Sequence, residues 1–262
     1  MEKENTPERS TMRSVERALD IVDILVDRGR PLRLAEVARE SGLHIATAQR
    51  ILRVLHDRNY VAKGSAGYTV GASVVAAAYS FLNGNQLALA AVPVLQELAD
   101  ALGLTASLSV RVGSARVLVE RIEGTSPLRY QLPIGGRLPL HLGAGKVFLA
   151  DLPLEERERI LTGLGEHIVT AGGEEVSLPD LKSNLDEIAA RGYAISRSER
   201  VIGAVSVAAP VRSREGVLLG VVQVSGLEED MTDDRLARAT RDVINACSSI
   251  AARTQWYVAQ DS

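Results

Sequence analysis

Between Pro31 and Asn59 the apolar residues fall into two short helical stripes broken by a single glycine, a pattern that few folds accommodate. In LRLAEVARESG, Leu34, Val37 and Ala38 recur at helical spacing and Gly42 supplies the stop. After the break Gly42-Leu43, the segment HIATAQRILRVLHDRN (44–59) sets Ile45, Ala48, Ile51, Leu52 and Leu55 on one side. Ala46, Gln49, Arg50, Arg53 and Asp57 face the other. Helices this short are marginal alone, so their stripes must be buried against each other and a neighbour. Upstream, SVERALDIVDILVD (14–27) offers that neighbour: Val15, Ala18, Leu19, Val22, Leu25 and Val26 share a stripe, and Gly29 with Pro31 ends the helix. Downstream, YVAKGSAGYTVG reads as two short strands around Gly64-Ser65-Ala66-Gly67. Three helices and a β-hairpin in about sixty residues form a winged helix-turn-helix, with a basic exposed face on its second motif helix.

The whole chain carries a formal net charge of −3, from 30 Lys+Arg against 33 Asp+Glu, which alone speaks against a nucleic-acid partner. The distribution speaks for one. Residues 1–82 hold 12 Lys+Arg and 10 Asp+Glu, and the remainder 18 and 23. Within 44–63, Arg50, Arg53, Arg58 and Lys63 face only Asp57. A local basic face on an acidic whole suits a protein that grips one DNA site and is repelled elsewhere. Aromatics at 3% argue against a single-strand binder built on stacking platforms. The lone Cys247 excludes an internal disulfide and a multi-cysteine zinc site, and its apolar helical setting favours a buried thiol over a redox sensor. MEKENTPERSTMRS has no apolar signal core, and no run of 18 uncharged apolar residues follows, so a cytoplasmic protein without a membrane span is expected.

Ala72–Phe81, rich in Ala and Val, predicts a connecting helix, and Asn83-Gly84-Asn85 is a natural break. These breaks predict a DNA-binding domain at 1–71, a linker helix at 72–84 and a second domain at 85–262. That domain opens with a helix over 86–102, closed by Gly103. In LTASLSVRV, Leu104, Ala106, Leu108, Val110 and Val112 alternate with Thr105, Ser107, Ser109 and Arg111, the mark of a half-buried strand. Ala115–Ile122 is its hairpin partner across Gly113-Ser114, while 204–211 and 217–226 read as central strands around the turn SREG. Helices are expected near 145–151, 154–163, 178–191 and 232–255. The predicted fold class is α+β, a mainly antiparallel sheet with flanking helices.

Four segments carry a resemblance: SVERALDIVDIL, LAEVARESGLHIATAQRILRVLHDRNYV, IGGRLPLHLGAGKVFLADLP, and RGYAISRSERVIGAVSVAAPV with the later strand VVQVSG. In this order and spacing the chain resembles the IclR family of bacterial transcriptional regulators over nearly its whole length. The resemblance implies a winged helix-turn-helix, a linker helix and a C-terminal effector-binding domain similar to the GAF fold. It implies a homodimer formed through the DNA-binding part, commonly paired again as a dimer of dimers, on a palindromic double-stranded DNA operator. The implied function is repression, or alternatively activation, of catabolic operons under control of a small-molecule effector such as an organic or aromatic acid or its derivative.

On this reading the N-terminal half of helix 44–59 enters the major groove with Thr47, Gln49, Arg50 and Arg53 at the base edges. Gln can form paired hydrogen bonds to adenine and Arg to guanine. Arg50 or Arg53 can equally hold a phosphate, and such a face can also be merely solvated. Lys63 and Ser65 on the wing, and Arg13 before the first helix, are candidate phosphate contacts. His44 reads as a helix-end or phosphate contact rather than a pH switch. Arg33 stands where the family places a Ser or Thr N-cap; arginine offers no oxygen acceptor, so that helix start is expected to fray or Arg33 to reach DNA.

Gly143-Ala144-Gly145, ahead of a helix, either presents backbone N–H groups to an anion or simply permits a tight bend. In the family this segment closes one end of the effector pocket. It is no Walker A loop, since Leu140 stands at the first glycine and Val147 replaces the Ser/Thr that would hold Mg²⁺. By position the resemblance carries over Ser196, Ala204, Ser206, Gln223 and Ser225 as pocket residues, each also compatible with ordinary strand packing. Acid-sensing relatives place Asp, Cys and Ser where this chain has Ser196, Ser206 and Gln223, which implies an effector other than a bare two- or three-carbon keto acid. A neutral or singly anionic ligand, such as an aromatic acid derivative, suits these residues. An enzyme is not expected: outside the DNA-binding part the only histidines are His141 and His167, with no nucleophile elbow, H-x-x-x-H spacing or dinucleotide fingerprint. His141 reads as a structural or pocket residue rather than a general base. Neither cofactor nor metal is expected. A DNA-independent protein–protein adaptor, the remaining alternative, would not need Gln49, Arg50 and Arg53 on one face.

Overall fold

A computed structural model describes residues 7–125 and 132–260 and divides the chain into two compact units, with the boundary after Phe81. In the first unit, α1 (Pro7–Arg28), α2 (Leu34–Glu40) and α3 (Ile45–Asp57) precede a hairpin of β1 (Val61–Gly64) and β2 (Gly67–Val70). Ile21, Leu25, Leu32, Val37, Ile51, Leu52 and Val61 close one core. Helix α1 begins earlier than its apolar periodicity announces, because polar first turns carry no stripe to read.

Three expected core residues are corrected: Val15, Leu19 and Ile45 are 56%, 62% and 52% exposed. The core takes the arc of α1 through Ala18, Ile21 and Leu25, while Met12, Val15 and Leu19 occupy the adjacent arc. Ile45, the first residue of α3, lies beyond the reach of that core. The start of α2 does not fray. Glu36 Oε2 accepts from the Arg33 backbone N–H at 2.8 Å, and Arg30 holds its other oxygen at 3.0 Å. The backbone bond first, and then Arg30, keep the Glu36 carboxyl below the usual carboxylate range. An acid at the third helical position thus satisfies the backbone N–H of Arg33 itself, the reciprocal half of a capping box. The wing is tied down by Leu32, which exchanges backbone bonds with Tyr68 at 2.9 and 2.7 Å. Gly67 permits this approach, because it has a φ of +138° and a Cβ there would collide with the Leu32 carbonyl.

Helix α4 (Ser73–Gly84) carries the chain from one unit into the other. The second unit runs α5 (Gln86–Leu102), β3 (Thr105–Val112), β4 (Ala115–Ile122), β5 (Arg137–Pro139), α6 (Gly145–Asp151) and α7 (Leu154–Thr162). It continues through β6 (His167–Val169), β7 (Glu175–Ser177), α8 (Leu178–Arg191), β8 (Ala194–Arg197), β9 (Ala204–Arg212), β10 (Leu218–Leu227) and α9 (Asp233–Gln260). Six strands form one antiparallel sheet in the order β5-β4-β3-β10-β9-β8. Asn85 caps α5 by accepting from the Ala88 N–H at 3.0 Å, and Gly103 ends it in the left-handed region. Helices α5 and α9 cover one face of the sheet, packing Leu95, Leu98, Val243 and Ile250 on Leu108, Val207 and Val222. On the other face Phe148 and Leu149 of α6 and Leu185 of α8 cover Ala194, Ala208 and Val221. The strands that periodicity did not announce, β5 to β8, span three or four residues each, too few to show an alternation. Among the described residues no helix is long and apolar enough to cross a membrane.

Cys247 lies on the buried face of α9 with its Sγ 3.3 Å from the Ala209 carbonyl, and burial pushes the thiol up to about 12. It therefore stays protonated at neutral pH. A disulfide-exchange reagent is expected to modify the native protein at least about 100-fold more slowly than the urea-unfolded chain. Equal rates would contradict the buried setting.

Candidate DNA-binding face and ligand cavity

In the first unit some arginines are paired and others are not. Arg28 reaches Glu40 at 2.8 Å, Arg30 reaches Glu36 at 3.0 Å and Arg39 lies 3.9 Å from Glu40. Arg50 and Arg53, exposed on α3, have no acidic partner among the described residues. Gln49 is exposed beside them, whereas Thr47 is half-buried. His44 is exposed at the N-cap of α3 and makes no side-chain cap bond. On the hairpin Lys63 and Ser65 are exposed, the Lys63 ammonium lying 5.6 Å from the centre of the Tyr68 ring. Arg13 is exposed within α1 rather than ahead of it.

In the second unit, the expectation of a half-buried β3 is corrected. Its polar face is also covered, with Thr105, Ser107 and Ser109 only 8%, 7% and 0% exposed. The sheet register explains what that face does. Ser196, Ser206, Ser225 and Thr105 are successive cross-strand partners over β8, β9, β10 and β3, so four hydroxyls stand in one row. The next row sets Gln223 opposite Ser107, and Ser107 opposite Arg121. Ala208 and Ala194 continue that same row on β9 and β8, and Val221 stands one row further, all three under α6 and α8. Beyond that cover the hydroxyl rows face a partly open cavity with polar and apolar walls.

Of the expected pocket residues, Gly143, Ser196, Ala204, Ser206, Gln223 and Ser225 line this cavity. Ala144 and Gly145 do not: Ala144 is buried in the core beneath α6, and Gly145 presses on the backbone of Leu140. Nor is the start of α6 an open cradle. The Gly143 N–H donates to Glu199 Oε2 at 2.7 Å, and Lys146 Nζ donates to Glu199 Oε1 at 2.5 Å and to Asn184 Oδ1 at 3.0 Å. The Lys146 and Glu199 side chains are 7% and 15% exposed, so this pair is largely withdrawn from water.

Sequence reasoning missed Arg116, Arg200 and Glu199, which also line the cavity. Arg116 is 1% exposed, and its Nη1 donates to Ser109 Oγ at 2.8 Å. Among the described residues its Nε has no hydrogen-bond partner, and neither does the buried Ser196 Oγ. Burial first, and then the charge of Arg200, bring the Arg116 pKa down to about 9. The available signal was one arginine among the apolar residues of ARVLVERI, which reads equally as a solvent-facing position. His141 stands outside the cavity wall, and burial lowers its pKa against the opposing pull of Glu199.

A winged helix-turn-helix with unpaired arginines on its second motif helix, joined to a sheet that holds a polar cavity, defines a ligand-responsive DNA-binding regulator. Residues 14–65 match the IclR helix-turn-helix domain, and residues 79–252 match the bacterial transcriptional regulator IclR C-terminal domain. The chain belongs to the IclR family, whose members are transcription regulators and not enzymes. It is 28% identical over 249 residues to the transcriptional repressor IclR of Escherichia coli, covering 93% of this chain and 90% of that protein. It is 30% identical over 227 residues to the repressor AllR of Klebsiella pneumoniae, covering 85% and 82%. A solved IclR homologue from Microbacterium hydrocarbonoxydans, complexed with 4-hydroxybenzoate, superposes with a TM-score of 0.71 at 20% identity over 92% of this chain and 99% of that one.

The Lys146–Glu199 pair sets one expected outcome. Lys146→Met leaves a buried carboxylate without its cation and should destabilise the second unit by about 3 kcal/mol in urea unfolding. Adding Glu199→Leu should restore most of that loss, whereas simple additivity of the two substitutions would mean the pair is not coupled.

Proposed function

We propose that this protein is a repressor that binds a palindromic operator in the cytoplasm and is controlled by a small molecule in the sheet cavity. The observation that carries the DNA reading is the exposed trio Gln49, Arg50 and Arg53, whose arginines are unpaired while Arg28 and Arg30 engage Glu40 and Glu36. Exposed arginines left without counter-charges are available to phosphates and guanine edges. Thr47 joins them at the base edges, and His44, Lys63, Ser65 and Arg13 contact the backbone. Both named relatives are repressors, which supports repression over activation.

The cavity is the effector site, lined by Gly143, Ser196, Ala204, Ser206, Gln223 and Ser225. The 4-hydroxybenzoate complex of a relative supports a small ligand in this fold. The functional division is residues 1–71 for DNA, 72–84 as linker and 85–262 for the effector. A homodimer is supported by the apolar arc Met12, Val15 and Leu19 of α1 and by Val75, Tyr79 and Phe81 of α4, all exposed in the single chain. Two copies place two recognition helices on half-sites about one DNA turn (~34 Å) or a multiple apart. Pairing again into a dimer of dimers extends the same scheme. Effector binding acts through the linker helices, by differing affinity for two arrangements of the dimer.

Fluorescence anisotropy on the intergenic DNA beside the protein's own gene, across a salt series, tests this reading. Specific binding that weakens with salt is expected, with Arg50→Ala weakening it about 10-fold or more. Lys63→Ala should lower the salt slope by about one, with little change in sequence preference. A protein that binds all DNA equally, or none, would overturn the operator reading.

A further inference from the structure

Among the described residues, nothing in the cavity wall answers the charge of Arg116. Among the described residues its only hydrogen bond runs to Ser109, its Nε has no partner, and no carboxylate pairs with it. Glu199, the one carboxylate in the wall, is already held by Lys146 and by the Gly143 N–H. Arg121, in the same wall, is paired with Glu123 at 2.8 Å. Arg200 adds to the positive charge at this corner. Its Cδ lies 3.6 Å, and Arg116 Nη2 lies 3.9 Å, from the point a Cβ on residue 143 would occupy, so both arginine side chains stand within van der Waals range of the same point.

A buried cation without a counter-ion destabilises the folded state unless something anionic completes it. A guanidinium fork matches a carboxylate in shape, donating two parallel N–H bonds to its oxygens. The alternative anion site, the amide at the start of α6, is closed by the protein's own Glu199. Resting on the ligand-controlled reading above, we propose that Arg116 is the acid-binding residue of the cavity. A ligand carboxylate pairs with its guanidinium at the corner next to Gly143 and Arg200. A second polar group of the ligand, a hydroxyl or carbonyl, meets the row begun by Ser196, whose Oγ is the other buried atom in the wall without a partner. The ligand class is therefore a small monocarboxylate with a polar substituent, and neutral amides and esters of the same shape are rejected.

Calorimetric titration of the full-length protein with pyruvate, benzoate, 4-hydroxybenzoate and phenylacetate, each beside its amide, tests the assignment. At least one acid should bind saturably, and its amide at least about 10-fold more weakly. Arg116→Met, which keeps an unbranched stem and removes the charge, should weaken that acid by about 10- to 100-fold. Its unliganded melting temperature should not fall below wild type, an outcome that loss of a merely structural arginine would reverse. If the Met variant does melt lower, Arg116→Gln, which keeps a donor towards Ser109, carries the affinity comparison. No binding by any of the four acids, an amide as tight as its acid, or unchanged affinity in the folded variant would each overturn the assignment. Operator binding measured on the same wild-type sample separates the two readings. Operator binding without acid binding overturns the acid site alone, and acid binding without operator binding overturns the regulator reading alone.

Discussion

The antiparallel register around β10 is the constraint on which the second unit depends. Side chains alternate strictly across a strand, so Val222 and Val224 can meet α5 and α9 only if Val221, Gln223 and Ser225 point the opposite way. A slip of one residue would drive the serines into an apolar core and the valines into the cavity. Both errors are costly, because a hydroxyl buried without a partner is destabilising by about 1–3 kcal/mol and each lost valine contact by a comparable amount. The hydrophobic core therefore fixes the hydroxyl row as surely as any ligand contact would. The same face then changes character along its length. Alanines at 194 and 208 let α6 and α8 approach closely, and where those helices stop the serines begin.

Two placements of one residue type serve different ends. Arg50 and Arg53 lie in water, where an unpaired guanidinium carries little penalty and its attraction for phosphate is screened by salt. Arg116 is enclosed, with little screening by salt, so a matching anion changes its energy sharply. In the proposed roles, the exposed pair gives affinity for a polyanion and the enclosed one gives discrimination between a charged and a neutral ligand. The Glu199–Lys146 pair shows what the chain does where it wants no ligand: it supplies both charges itself.

The first unit was largely legible because each of its helices carries a stripe and each break a glycine or proline, and the central strands were legible because they alternate. What escaped has physical causes. Val15 and Leu19 share a helix with the core residues, and periodicity cannot say which part of a wide apolar arc faces inward. Glu36 rescues the start of α2 through a backbone bond that depends on Arg30 as well, a three-residue arrangement that propensity does not encode. The polar half of β3 was legible as polar but not as a cavity wall, since alternation is the same whether the far side meets water or a ligand. Arg116 was hidden for the reverse reason: a charged residue in a strand is ordinarily read as facing water, and only the fold shows it enclosed. Glu199 lies far from Gly143 in sequence, so its occupation of that amide is a tertiary fact.

Magnitudes limit how ligand control can work in such a protein. A charge-assisted pair such as Arg116 with a carboxylate is worth about 1.5–3 kcal/mol, or a factor of roughly 10–100 between a state that offers the pair and one that does not. Moving a two-state equilibrium from 1:99 to 99:1 needs a preference of about 10⁴. One carboxylate contact in one cavity is therefore insufficient for a sharp switch. Two routes remain within the geometry. A second contact at the Ser196 row multiplies the preference of each cavity. A dimer that changes arrangement as a unit multiplies it again, because two occupied cavities contribute twice the free energy to one transition. With both, a modest preference of about 100 per cavity squares to about 10⁴. In the proposed dimer the apolar arc of α1 and the cavity of the sheet would be parts of one mechanism, the first making the copies move together and the second supplying the bias that moves them.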